Sequence, residues 1–321
     1  MGRFIVRRAL FGLLVLLIIS MAVFVLFFVV APGDPAANFV GKNPTPEQIQ
    51  QARVKYSLDK SVPEQYLLYV GRLAHGDLGY SFRNAEPVLT TLMDRLPITA
   101  SLAAGAAFFW LLMGIPIGIL AATKPRSLRD RAATVFALGG LSIPTFVVGL
   151  LFLYFFFYIF RFKFGLDLFP GNGYIPLTED PFGWAQHLIL PWFALALVSA
   201  ASYSRITRGS LLEVLGEDYI RTARAKGLSE RRVIYRHGLR SALTPVVTLL
   251  GIDIGGLLGG AIVTESVFGL GGIGQLAVTA VSIGDLPVIF GTVLLAAFFI
   301  VVANIIVDIV YALLDSRVRL A

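Results

Sequence analysis

Long stretches without a charged residue constrain this sequence more than any other feature. Five uncharged windows span 22 to 29 residues each, and a sixth window is interrupted only by Asp253. A helix needs about 20 apolar residues to cross a bilayer, and helices satisfy their own backbone groups in lipid. We therefore predict an all-α polytopic membrane protein with six transmembrane helices, near 9–31, 98–122, 133–159, 188–206, 243–264 and 287–311.

The composition agrees with a membrane protein and excludes several kinds of chemistry. Hydrophobic residues make up 56% of the chain and charged residues 15%, whereas soluble domains have about 25% charged residues. Cysteine is absent, which excludes disulfides, thiol catalysis and cysteine-bound metals. The three histidines lie far apart in the sequence and form no metal-binding motif. We predict no catalytic residue, no metal and no cofactor bound by this chain.

The distribution of lysine and arginine predicts that both termini are cytoplasmic. With the N-terminus inside, the inner segments carry 18 of these residues and the outer segments carry nine, as the positive-inside rule requires. The first apolar run also has the order of a signal peptide, with basic residues before it. Its length of about 23 residues favours an uncleaved first helix.

Three parts follow from this topology. Residues 1–31 form an N-terminal tail and helix 1, residues 32–97 an extracytoplasmic cap segment, and residues 98–321 the core helices 2–6. The segment 32–97 is either a small cap over the outer mouth or a docking and gating surface, and its composition favours the cap. The core includes a cytoplasmic loop at 207–241.

This cytoplasmic loop is basic and patterned. Between residues 205 and 240 it holds nine Lys/Arg and four Asp/Glu. Spacings of three and four residues predict one apolar helical face, formed by Leu212, Leu215, Tyr219 and Ala223. Glu217 and Arg221 are four residues apart, in the favourable order for an ion pair.

A glycine predicts where this helix ends. Gly227 suits the left-handed position just past a helix, and Ser229 can cap a second helix that runs to about Arg240. The loop could lie on anionic lipid or bind a partner protein. Two helices with a fixed glycine break are more structure than lipid attraction needs, which favours protein docking.

The segments 219–230 and 236–245 resemble the cytoplasmic "EAA" loop of ABC importer permeases, most closely the dipeptide and oligopeptide branch. Ala223 and Gly227 match the general motif, Arg221 and Thr222 stand where it has Glu and Ala, and His237 and Arg240 replace its Ile and Pro. Three further segments agree: 76–79 with 95–97, 259–274, and the chain end at 304–319. The resemblance covers nearly the whole chain, and the long segment after helix 1 resembles the first of the two permeases in such a system.

The resemblance implies a type I ABC importer permease fold in the plasma (inner) membrane of a prokaryote. It implies a second homologous permease in a heterodimer, two ATP-binding subunits and an extracytoplasmic solute-binding protein. No phosphate-binding loop of the form G-x4-G-K-[S/T] occurs in this sequence, so ATP and Mg would be bound by the partner ATPases. The residues that would contact those ATPases are Tyr219, Arg221, Thr222, Ala223, Arg224, Lys226 and Gly227.

Three carboxylates in or near the apolar spans are further candidates. Asp253 lies in the middle of helix 5, where a carboxylate is costly and often functional. It either lines the pathway or packs in a seam formed by Gly251, Gly255 and Gly259, whose spacing is typical of close helix contacts. Glu265, at the outer end of helix 5, is a possible gate residue. For Asp308, near the inner end of helix 6, we predict a structural ion pair with a cytoplasmic-side arginine.

Two other classes of protein were considered. An ion-coupled secondary transporter would need a self-sufficient chain, often with internal repeats, and this sequence has no clear repeat. An intramembrane enzyme would need a nucleophile and base at helical spacing, which we do not find. Within the resembling family, the substrate could be di- or oligopeptides, glutathione, a nickel chelate or another small solute.

Overall fold

The computed structural model describes residues 2–30, 34, 36, 40, 45–81 and 85–314, with side chains from residue 6 to residue 310 within those ranges. Two parts of the prediction lie outside the described residues. They are the beginning of the cap segment at 32–33 and the basic end of the chain at 315–319.

Helices account for most of the described chain. The first half contains α1 (Gly2–Phe24), α2 (Pro46–Lys55), α3 (Val62–Ala74), α4 (Val88–Thr123), α5 (Leu128–Ser142), α6 (Thr145–Phe152) and α7 (Phe160–Phe164). The second half contains α8 (Pro181–Leu215), α9 (Asp218–Ala225), α10 (Glu230–Arg232), α11 (Leu239–Ala242), α12 (Thr244–Leu258), α13 (Ile262–Val267), α14 (Ile273–Ile283) and α15 (Leu286–Leu314). Three π-helical segments extend or join these helices, at Val25–Val30, Leu153–Ile159 and Val233–Gly238. A two-residue antiparallel pairing joins β1 (Tyr80–Ser81) to β2 (Glu86–Pro87).

Five described helices are long and apolar enough to cross a membrane. They cover Val6–Val30, Val88–Thr123, Thr145–Phe164, Pro181–Leu215 and Leu286–Val310. A sixth span is possible where two helical stretches, Glu230–Ala242 and Thr244–Leu258, meet at a bend of 47°. The predicted count of six holds when this bent pair is one span.

The third span is placed differently from the prediction of 133–159. The chain breaks between α5 and α6, because Pro144 has no backbone N–H and disfavours helical geometry in the residue before it. Ile143 is accordingly extended, with φ −98° and ψ 121°. The apolar helix that is long enough to span therefore begins at Thr145. By contrast, Pro116 and Pro191 lie inside α4 and α8 without ending either helix.

Helix α12, which begins at the start of the predicted fifth span of 243–264, ends before that predicted span does. Helix α12 has only 15 residues and is followed by Gly259 and Gly260 before α13 begins. Gly260 has φ +123°, and a Cβ there would lie 2.6 Å from the Cα of Gly274. The helix therefore ends where α14 packs directly against the backbone.

The main core lies between α4 and α8, which are the most extensively packed pair. Trp110 of α4 and Tyr203 of α8 are both almost fully buried, with ring centroids 5.7 Å apart. Gly114 and Gly118 let the helices approach closely, since a Cβ on Gly118 would lie 2.6 Å from Cβ of Thr207. Small residues at such contacts are the usual basis of helix association in bilayers.

The predicted glycine seam on α12 is confirmed. A Cβ on Gly251 would overlap the Val307 side chain of α15. A Cβ on Gly255 would lie 3.0 Å from Ala303, and one on Gly259 would lie 2.7 Å from Ala296. All three glycines thus face one side of α15.

The described part of the segment 32–97 packs on the C-terminal end of α1. Helix α2 begins with a capping box, in which Thr45 and Gln48 exchange hydrogen bonds between side chain and backbone. From α3, the Tyr66 hydroxyl lies 3.0 Å from Ser20 Oγ, and the Tyr69 ring is tilted against the Phe24 ring at 5.7 Å between centroids. Burial raises the pKa of Tyr69 to about 12.

Candidate functional site

The basic loop forms a helical hairpin beyond α8, but its first helix is not the continuous one that we predicted. Helix α8 ends at Leu215, Gly216 and Glu217 intervene, and α9 starts at Asp218. Glu217 takes an extended conformation, with φ −69° and ψ 150°. Its carbonyl accepts the N–H groups of Ile220 and Arg221, so it acts as the N-terminal cap of a new helix.

This break changes which residues form the buried face of α9. Ile220 is fully buried and Ala223 nearly so, and both pack with Val233 at the start of the π-helical segment that follows α10. Tyr219, predicted to lie on the apolar face, is instead exposed, and its hydroxyl bonds to Ser241 Oγ at 3.3 Å. The prediction for Tyr219 is wrong because it assumed one continuous helix. The helix ends at Leu215, so the three- and four-residue spacing does not continue into α9.

The predicted end of α9 at Gly227 is confirmed. Gly227 has φ +78°, and its N–H donates to the carbonyl of Arg224 at 2.9 Å. The N–H of Leu228 donates to the carbonyl of Ala223 at 3.4 Å. This pair of bonds is a Schellman motif. A Cβ on Gly227 would meet nothing within 4 Å, so the glycine serves the backbone conformation and not a close contact within the chain.

Arg224 connects the elements of the hairpin to one another. Its Nε donates to Glu230 Oε1 at 2.8 Å, and one terminal nitrogen reaches the carbonyl of Leu215 at 3.5 Å. The end of α8, α9 and the start of α10 are therefore connected through one guanidinium group. Ser229 occupies the N-cap position before α10 as predicted, but its side chain makes no capping hydrogen bond, so the predicted side-chain cap is wrong.

The remaining polar residues of α9 point to the surface. Arg221 pairs with Asp218, not with Glu217 as predicted, at 3.4 Å and with both side chains largely exposed. Thr222 donates a hydrogen bond to the carbonyl of Asp218, and Lys226 is exposed. Arg221 and Lys226 thus form an exposed basic edge beside Gly227.

An ion pair at the base of the hairpin was missed by the sequence analysis. Arg208 of α8 makes two hydrogen bonds to Asp130 of α5, and the second, from Nη2 to Oδ2, is 3.0 Å long. The backbone N–H of Arg126 donates to the same carboxylate at 2.8 Å. The hydrogen bonds from Arg208, and to a smaller extent the one from the Arg126 N–H, hold the pKa of the Asp130 carboxyl below its usual value. The only local signal was Ser127, which caps α5 three residues earlier.

Asp253 lies half-buried on α12 within the membrane-spanning region. Its Oδ2 accepts a hydrogen bond from the Tyr203 hydroxyl at 2.8 Å. The aspartate therefore faces the α4–α8 core on one side, next to the packed rings of Tyr203 and Trp110.

Glu265 is fully buried in α13, which is followed by α14. Its carboxylate accepts the Thr99 hydroxyl at 2.8 Å, the N–H of Gln275 at 2.9 Å and the N–H of Ala261 at 3.3 Å. Thr99 also accepts the N–H of Ile273 at 2.9 Å. The carboxylate thus joins α4 to α13 and α14 and has its charge satisfied by three donors.

Asp308 pairs with Arg8, whose Nε lies 3.1 Å from Oδ2. The pair links α1 to α15. Arg8 lies in the N-terminal segment that the prediction places on the cytoplasmic side. Among the residues that the structure describes, no group of three or more His, Cys, Asp or Glu side chains could hold a metal ion.

Several apolar spans and a basic hairpin after the fourth hydrophobic segment are typical of one class of protein, the membrane-spanning subunit of a transporter. Comparison with known proteins identifies the family. The sequence model described as "Binding-protein-dependent transport system inner membrane component" matches residues 114–320, and its N-terminal companion matches residues 1–103.

The chain belongs to this family of ABC importer permeases. It is 39% identical over 319 residues to a putative peptide transport system permease protein of Brucella abortus (strain 2308), with 99% of each chain covered. It is 38% identical to the oligopeptide transport system permease protein AppB of Bacillus subtilis (strain 168), covering 99% of this chain and 100% of AppB. It is also 38% identical to the dipeptide transport system permease protein DppB of Escherichia coli (strain K12), with 99% of each covered.

A solved structure shows the same fold. A chain of the MetNI methionine ABC transporter, in an inward-facing conformation, matches with a TM-score of 0.55 and 21% identity, over 71% of this chain and 97% of that one. The predicted permease fold is therefore confirmed. Membership of the family decides against the ion-coupled secondary transporter.

Proposed function

We propose that this chain is one of two permeases in an ATP-driven importer of di- and oligopeptides. The observation that carries the substrate class is the full-length similarity to relatives that are themselves named as peptide, oligopeptide and dipeptide permeases. A homologous second permease, two ATPase subunits that bind ATP and Mg, and an extracytoplasmic solute-binding protein complete the assembly. The chain performs no ATP hydrolysis of its own.

The proposed topology places both termini and the hairpin in the cytoplasm of a prokaryote, as the lysine and arginine distribution requires. The segment 32–97 then lies outside as a cap over the mouth, and residues 98–321 form the core. Packing of α3 on the outer end of α1 supports the cap.

The hairpin is the proposed contact with an ATPase subunit. Its internal connections support transmission of force: the buried cluster around Ile220 and Val233 and the Arg224 contacts hold α9 to the end of α8. Movement of α9 would therefore move α8 and the core behind it. Because Ala223 packs inside the hairpin, the partner would contact the exposed edge formed by Tyr219, Arg221, Thr222, Lys226 and Gly227.

Two carboxylates are proposed to act in the translocation path. Asp253 is the candidate for lining it, since one side of this half-buried residue remains outside the Tyr203 hydrogen bond. Glu265 would act on an outer gate indirectly, by positioning α13 and α14.

Substitution of Gly227 tests the coupling proposal. Asparagine tolerates the left-handed conformation, and open space surrounds the Cβ position, so G227N should fold normally. A side chain there should prevent close approach of the ATPase. We expect at least a tenfold loss of ATPase activity stimulated by the peptide-loaded binding protein, measured in reconstituted complexes.

The matched control is G209N, because Gly209 on α8 also has open space around its Cβ position. It should leave the stimulated activity unchanged. Normal assembly and full stimulated activity of G227N would contradict the coupling role. Failure of the wild-type complex to import any peptide in proteoliposomes would contradict the substrate class.

A further inference from the structure

A cavity of about 290 Å³ lies away from the hairpin, between α4, α14 and the beginning of α15. Polar groups line one part of it, from Arg95, Gln275, Thr279 and Asp285, and apolar side chains such as Leu276 and Val288 line the rest. Its volume is near the lower limit for small-molecule sites, about 300 Å³. The cavity is therefore large enough for a small polar ligand.

Arg95 is the positively charged side chain that lines this cavity. Its Nη1 donates to the carbonyl of Gly271 at 2.9 Å, which fixes the guanidinium at the cavity wall. A guanidinium carries five N–H donors, and no carboxylate among the described side chains forms an ion pair with this one. Arg95 is exposed and thus retains N–H donors that can bind an anionic group.

The anion is Asp285, which is buried at 8% exposure. The Ser81 hydroxyl donates to its Oδ2 at 2.7 Å. Its Oδ1 is shielded from water and has no hydrogen-bond partner in the described part of the chain. A buried carboxylate oxygen without a donor is costly. Rotation about the Cβ–Cγ bond is soft in aspartate and can bring this oxygen to a donor in the cavity.

The two charged side chains line one cavity without pairing with each other, an arrangement that complements a molecule with a positive and a negative end. A second, open cavity of about 460 Å³ adjoins the first at Arg95 and is lined also by Glu86, Thr91 and Asp94. Its two carboxylates would attract a cationic group towards the site.

We propose that this cavity binds a small zwitterion, with its ammonium group at Asp285 and its carboxylate at Arg95. The identity of the zwitterion rests on the proposed function: it is a short peptide with free termini. Charge-assisted hydrogen bonds at both ends would then select peptides whose termini are unmodified.

Binding of dialanine to the membrane complex, without the solute-binding protein and in phosphatidylcholine nanodiscs, tests this directly by calorimetry. N-acetyl-dialanine and dialanine amide should each bind at least tenfold more weakly than dialanine. D285N should remove the discrimination against the acetylated peptide, and R95Q the discrimination against the amide. D94N, which changes only the adjoining cavity, should retain both.

Since Arg95 also holds Gly271, R95K provides a variant that keeps the charge, and it should retain part of the discrimination against the amide. Equal binding of all three peptides, or no binding by a folded wild-type complex, would overturn the proposal and leave a water-filled cavity. Retention of added phosphatidylethanolamine that D285N and R95Q both release would support the zwitterion site but assign it to a lipid headgroup. Peptide import is measured separately in proteoliposomes, so loss of import by the wild type would count against the proposed function and not against this site.

Discussion

Replacement of Asp130 by asparagine tests whether the contact between α5 and α8 stabilises the protein. The carboxylate accepts two hydrogen bonds from Arg208 and one from the backbone of Arg126. Asparagine keeps one acceptor oxygen, but its amide group presents donors to the donors of the guanidinium. At least one hydrogen bond and the charge attraction are therefore lost.

The structure bounds the size of this effect. A hydrogen bond to a charged group contributes roughly 1.5–3 kcal/mol, whereas an exposed ion pair contributes about 0–1 kcal/mol. The Asp130 side chain is 9% exposed and the Arg208 side chain 34%. We therefore expect D130N to lower the free energy of unfolding by about 2 kcal/mol. This corresponds to a fall in Tm of about 4–8 °C for domains of 150–250 residues, and of no more than that for this longer chain.

The effect should also depend on pH. Arg208, with the Arg126 N–H, lowers the pKa of Asp130 in the folded protein, whereas an unfolded aspartate has a pKa of about 3.9. A lowered pKa stabilises the fold fully above the unfolded value and loses that contribution as the pH falls through the folded value. The difference between wild type and D130N should be constant above about pH 5 and shrink below about pH 4.

The assay is thermal unfolding of the detergent-purified chain, followed by tryptophan fluorescence. D130N is measured in the wild-type and R208Q backgrounds, and D167N serves as a control, because Asp167 forms an exposed pair with Arg161 at 3.6 Å. The control should change Tm by less than about 2 °C. If D130N lowers Tm equally in both backgrounds, the two residues are not coupled and the argument is wrong.

Four further substitutions, one of them with a compensating second change, have expected outcomes in the same assay. G251A should lower the free energy of unfolding by about 1–3 kcal/mol, because the added methyl group overpacks against α15. Adding V307A to G251A should restore part of this stability. If it restores none, the described contact between Gly251 and Val307 is wrong. E265A should lower the free energy of unfolding by at least about 3 kcal/mol, because three donors lose their acceptor. D308N should lower it by about 1 kcal/mol or less, because the ion pair of Asp308 is partly exposed. A larger loss for D308N than for E265A would contradict both descriptions. Y203F should cost about 1–2 kcal/mol, and an unchanged Tm would show that the Asp253 hydrogen bond contributes nothing.

The apolar spans and the glycine contacts could be predicted because they follow from local periodicity. A window of about 20 apolar residues specifies a membrane helix whatever its neighbours are. Glycines every four residues specify a close helix contact, as Gly251, Gly255 and Gly259 make. Gly227 was predictable for a similar reason, since its left-handed conformation is a property of the backbone at one position.

The boundaries were less predictable where apolar character continues across a break. Pro144 interrupts an apolar run that has no charge to mark the interruption, so hydropathy alone merged α5 with α6. Gly216 separates α8 from α9 in a segment whose apolar spacing continues through it. In both places the pattern of side chains was helical while the backbone was not.

The sequence by itself determined the membrane class, the hydrophobic segments, the glycine stop of the hairpin and the family, since each is expressed in residues close together along the chain. Tertiary structure alone decided the partners of the charged groups. Asp130 pairs with Arg208 across 78 positions, and Glu265 with Thr99 across 166. Arg95 and Asp285 likewise line one cavity only because α4 packs beside α14 and α15. A charge in a membrane protein must be satisfied wherever the fold places it, and no local pattern states which distant residue will do so.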